Sequence, residues 1–145
     1  MNNIINLNQV IENKINNIKL DDALKYVRTG EIKSLTLAIE RNCFNGQEIC
    51  IIAEEACRQE NKNLTKWILN RNEEILYYYP SDILDIAVGT CNYDILKVVL
   101  DSYSNEYTPQ LKYAGTCDRA KLNNREDILN LLEEYNIDTS VKECR

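Results

Sequence analysis

The amino-acid sequence predicts an all-α fold, a helix-turn-helix repeat solenoid with an N-terminal capping helix, and three observations carry that reading. First, Ile32, Leu64, Ile95 and Ile128 recur at separations of 32, 31 and 33 residues. Leu35, Trp67, Val98 and Leu131 follow three residues later, and Leu24, Ala56, Ala87 and Ala120 stand eight residues before. A period of this size marks stacked supersecondary units, each unable to bury its apolar face until a neighbour covers it. Second, apolar residues inside each unit fall three or four apart, the spacing of one helical face. Third, four Gly and two Pro are too few for the tight turns of a barrel or sandwich.

The elements follow in order. Residues 1–20 read as a capping helix, because Ile4, Leu7, Ile11, Ile15 and Ile18 share one face. A single repeat domain spans 21–138 in units of about 21–48, 49–79, 80–110 and 111–138, and residues 139–145 are expected to fray. In the first unit, Asp21 and Asp22 start a helix carrying Ala23, Leu24 and Val27. Gly30 ends it, and a second helix from Glu31 turns Ile32, Leu35 and Ile39 inward. The second unit places Ile49, Ile52, Ala53 and Ala56 on one helix, turns at Asn61-Lys62-Asn63, and places Leu64, Trp67, Ile68 and Leu69 on the next. Pro80 disfavours helix at Tyr79, and Ser81 and Asp82 are caps for the third unit. That unit packs Ile83, Leu84 and Ala87 against Ile95, Val98, Val99 and Leu100, with its turn at Asn92. The fourth runs through Ala120, Ile128, Leu131 and Leu132, with Asn123-Asn124 as its turn.

This pattern resembles the ankyrin repeat, whose units pair two antiparallel helices with a finger-like loop. The resemblance covers roughly residues 20–138. Ala53, Ala56, Ala87 and Ala120 look like the family's small first-helix positions. Ile68-Leu69, Val98-Val99-Leu100 and Leu131-Leu132 look like its aliphatic second-helix positions. Glu133 to Asp138 is similar to the repeat's acidic exit. No unit carries the Thr-Pro-Leu-His start, and Asn61, Asn92 or Asn124 stands where the turn glycine is usual; Asn tolerates the left-handed conformation such a turn needs. Trp67 is expected to be a principal core anchor.

Catalytic chemistry finds little purchase. The chain has no His, which removes the usual general base near neutral pH, the Ser-His and Cys-His nucleophiles and every His-containing metal site. Its six Cys include no C-x-x-C pair, so they are expected to be reduced thiols, with Cys50 and Cys57 as buried small hydrophobes and no metal bound. Adjacent carboxylates such as Glu54-Glu55 point in different directions on a helix and do not form an acid–base pair by themselves. No glycine-rich phosphate loop occurs, so no cofactor is expected.

The formal charge of −6 repels phosphate backbones and anionic lipid, so neither nucleic acid nor membrane is an expected partner. No apolar run is long enough to cross a bilayer, and the first residues lack a secretory pattern, so a cytoplasmic location, or the cytoplasm or nucleus of a host, is expected. What remains is recognition of a protein by a non-enzymatic adaptor or inhibitor. A basic partner is the one the acidic charge would assist. One version is a host-directed adaptor of a virus or intracellular bacterium; the other is an acidic inhibitor covering a basic enzyme. Tyr77, Tyr78 and Tyr79, with Tyr103, Tyr107 and Phe44, fall in the loops where the resemblance places its fingers, and Tyr suits binding hot spots. Glu55, Arg58, Gln59 and Arg119 fall on or near the first-helix face. The alternative is a structural protein that self-assembles through its terminal units; otherwise a monomer, or a weakly self-associating one, is expected.

Overall fold

A computed structural model describes residues 3–72, 82–102 and 125–135, with side chains placed from residue 9 onward and at 83–102 in the second stretch. The described residues are all-helical, with no strand. Eight helices occur among them: α1 (Asn3–Ile15), α2 (Leu20–Thr29), α3 (Ile32–Glu40), α4 (Gly46–Arg58), α5 (Lys62–Arg71), α6 (Asp82–Gly89), α7 (Tyr93–Ser102) and α8 (Glu126–Glu134). None is long and apolar enough to cross a membrane.

Caps and left-handed residues set these boundaries. The Asp22 carboxylate accepts the Lys19 N–H at 3.0 Å ahead of α2. Asn45 and Glu48 exchange hydrogen bonds at the start of α4, a capping box with both partners engaged. Gly30, Asn42, Glu60 and Cys91 take positive φ where α2, α3, α4 and α6 end. After three of them the chain folds back onto the finished helix: Glu31 donates to the Tyr26 carbonyl, Cys43 to Ala38 and Asn61 to Ala56.

Three local expectations are corrected here. Asn61 and Asn92 are not the left-handed residues of their turns; Glu60 and Cys91 are, one position earlier. The Asn side chains instead cap the following helices, accepting from Leu64 N–H at 3.1 Å and Ile95 N–H at 3.2 Å. Aligned on these turns, Ser34, Leu64, Ile95 and Ile128 become equivalent, and all are buried, while Ile32 and Leu24 are only partly buried. Two residues of drift in the first unit account for the difference at Ile32. Finally, α1 ends at Ile15, short of the expected residue 20, because Asn17 adopts positive φ.

The core lies between two rows of helices. In one row α2 packs on α4 and α4 on α6; in the other α5 packs on α7 and α7 on α8. Pairs α2–α3, α4–α5 and α6–α7 join the rows or close them, and α1 lies on α3. The first row carries the small residues Ala23, Ala53, Ala56, Cys57 and Ala87, all fully buried, beside Ile52, Ile83 and Leu84. The second is filled by larger ones, Leu64, Ile68, Leu69, Ile95, Leu96 and Val99. Along the edge of the turns, Asn92 donates to the Glu60 carboxylate at 2.8 Å and Arg125 donates to the Cys91 carbonyl at 2.5 Å.

Candidate functional site

The first-row face is organised around one carboxylate. Glu55 lies on α4 in the turn that approaches α2, and only 8% of the residue is exposed. Its Oε2 accepts from Gln59 Nε2 at 2.9 Å and faces Arg28 Nε at 3.5 Å; its Oε1 faces Arg58 Nη1 at 3.7 Å. Arg58 also reaches Glu54 at 3.8 Å, and the Cys50 thiol donates to Glu54 at 3.4 Å. A carboxylate this buried needs compensation, and here two guanidiniums and an amide from two helices supply it.

Helix ends place the two arginines. Arg28 and Arg58 occupy the last turns of α2 and α4, where a cation also suits the negative end of the helix dipole. About half of each side chain remains in water. A guanidinium has five N–H donors, so contacts of 3.5–3.8 Å to Glu54 and Glu55 leave donors facing outward. The arrangement is therefore a mixed-charge patch with spare donors.

A second feature lies across the other row. A groove of about 300 Å³ runs between α5 and α7, with Lys62, Lys66 and Asn70 on one wall and Lys97, Val98 and Asp101 on the other. Asp94, in the first turn of α7, and Ser102 complete it. Lys97 sits 3.6 Å from Asp101 and within 3.5 Å of the Tyr135 hydroxyl, which itself donates to Asp101. The hydrogen bond to Tyr135, then the charge of Asp101, raises the Lys97 pKa. The Tyr135 phenol is raised in turn, chiefly by its bond to Asp101.

The expected site residues are distributed unevenly over this structure. Glu55, Arg58 and Gln59 come together as described. Phe44 is corrected: it belongs to the hydrophobic core, 7% exposed, and offers no ring to a partner. Tyr77, Tyr78, Tyr79, Tyr103, Tyr107 and Arg119 lie outside the described residues. Trp67 is also corrected, because it is only partly buried, with Arg71 5.1 Å from its ring centroid, and Ile68 beside it takes the central position. Sequence reasoning missed Arg28, whose role exists only once α2 lies on α4. It also missed Lys62 and Lys66, although their spacing of four on one helix was available as a signal.

Cys50 and Cys57 are buried as expected of small hydrophobes, while Cys43 is exposed. Burial pushes the Cys57 thiol up to about 12, so it stays protonated near neutrality. Compared with protein-family models, with curated proteins and with solved structures, the chain matches none.

Proposed function

We propose that this chain is a non-enzymatic protein-interaction module, an ankyrin-like helical-repeat adaptor or inhibitor that holds a partner against the face of its first-row helices. The observation that carries this reading is the cluster of Arg28, Glu55, Arg58 and Gln59, which spans two helices and keeps exposed cations at equivalent positions on both. Side-by-side packing of α2, α4 and α6, and of α5, α7 and α8, supports a repeat solenoid, an architecture whose extended faces commonly bind other proteins. Tyr77, Tyr78 and Tyr79, which the repeat pattern of the sequence assigns to an inter-unit loop, would extend the contact, and the acidic net charge would speed encounter with a basic partner.

The test is affinity capture from a lysate of the source organism, read by mass spectrometry, followed by titration of the captured protein in purified form. Wild type is compared with Arg28→Glu/Arg58→Glu and with Tyr77→Ser/Tyr78→Ser/Tyr79→Ser. A protein held by wild type and lost from both variants is the expected result. A partner retained by both variants would sink the proposal, and growth of particle mass with concentration in light scattering would favour self-assembly instead.

A further inference from the structure

The groove between α5 and α7 has no part in that reading, and its charge is out of keeping with the rest of the molecule. The chain carries −6 overall, yet three lysines against two aspartates line this groove. Among the described residues Lys14 is met by Glu31, Arg41 by Glu12 and Arg125 by Asp127; Lys62 and Lys66, like Lys19, Lys25 and Lys33, have no carboxylate within ion-pair distance, but Lys62 and Lys66 share one groove. Asp101 is already engaged by Lys97 and Tyr135, which leaves Asp94 as the one lining carboxylate without such an engagement.

The geometry narrows the ligand. Lys62 and Lys66 are four residues apart on one helix, so their stems are offset by roughly 6 Å along its axis. Carboxylates on alternate residues of an extended peptide project to the same side at a spacing of roughly 6.6 Å, close to that offset. Lys97 stands on the facing wall, its ammonium 3.6 Å from Asp101 and 3.5 Å from the Tyr135 hydroxyl, and Asn70 adds an amide donor at the end of the α5 row. A volume of about 300 Å³ is enough for acidic side chains to enter.

We propose that this groove docks an acidic peptide segment of a partner protein, with alternate Glu or Asp carboxylates seated between Lys62, Lys66 and Lys97. Lysine suits the task, since its ammonium is a compact charge on a flexible stem and does not demand the planar geometry of a guanidinium site. The site is independent of the α2–α4 face and stands whether or not that face binds a partner.

A fluorescent peptide with glutamate at alternate positions is titrated against the full chain by anisotropy, beside the same peptide with glutamine. The chain's own net charge repels the acidic probe, so binding requires a local site. The glutamate peptide is expected to bind at low salt and weaken at high salt, and the glutamine peptide to show no binding. Lys62→Glu/Lys66→Glu should weaken binding roughly tenfold or more. Lys25→Glu/Lys33→Glu makes the same charge change at exposed lysines outside the groove and should leave the affinity within about twofold. Circular dichroism checks that each variant is folded, and Lys66→Gln serves if the charge reversal is not. Equal losses in the two double variants, equal binding of the two peptides, or no binding of the glutamate peptide would each overturn the proposal.

Discussion

On the α2–α4 face a carboxylate is buried and two arginines come to it, whereas across α5 and α7 Lys62 and Lys66 line a groove and, among the described residues, no carboxylate lies within ion-pair distance of either. The rows also differ in their packing. Small residues let α2, α4 and α6 approach closely, and close approach is what strips water from Glu55 and demands Arg28 in return. On α5 and α7 Leu64, Ile68, Ile95 and Leu96 are buried, while the groove between the two helices is lined mostly by polar and charged side chains. The first row thus carries a pre-paired surface, and the second an open groove above an equally buried core.

Packing changes should break this contrast most strongly. Ile68→Ala empties a fully buried position in the second row and should cost about 2–5 kcal/mol. Ala53→Leu forces extra volume between first-row helices and should cost about 1–3 kcal/mol. Urea melts of both variants measure these losses. Trp67→Ala should cost less than Ile68→Ala, because Trp67 is only partly buried; a larger loss would mean that the tryptophan anchors the row after all.

Next in size is the charge itself. Glu55→Ala removes the shared acceptor of Arg28, Arg58 and Gln59, and since both arginines can turn to water the loss should be about 1–2 kcal/mol. Lys66→Ala, which breaks no ion pair, should stay within about 0.5 kcal/mol. Matching losses in thermal melts would erase the distinction between the paired face and the open groove.

The sequence displayed the helices because Ile, Leu and Val recur at helical spacing through every described segment, and a core of Leu35, Ile52, Ile68 and Ile95 follows from that alone. It did not display the turns. Glu60 and Cys91 have no preference for positive φ, so their neighbours Asn61 and Asn92 drew the assignment, and the true register moved with it. Both candidate sites are tertiary. Glu55, Arg58 and Gln59 could be read as first-helix-face residues, but the burial of Glu55 and its pairing with Arg28 exist only once α2 covers it, and Lys62 and Lys66 line a groove only when α7 stands opposite.

The smallest effect probes how completely the first row excludes water. Cys57 lies in the last turns of α4, fully buried, and that burial raises its thiol from an ordinary value of 9.0 to about 12. In the unfolded chain the thiol ionises above about pH 9 while the folded one stays neutral, so the unfolded state gains stability as protons leave it. The contribution of Cys57 is therefore intact below pH 9 and is lost progressively as pH rises toward 12, with a slope of at most about 1.4 kcal/mol per pH unit. Denaturant melts between about pH 8 and about pH 10.5, either side of the thiol's ordinary value, should show wild type losing more stability than Cys57→Ala, the difference growing with pH. Parallel curves for the two proteins would mean that water reaches the α2–α4 contact, and that the pairing of Glu55 with Arg28 forms in a wetter site than its burial implies.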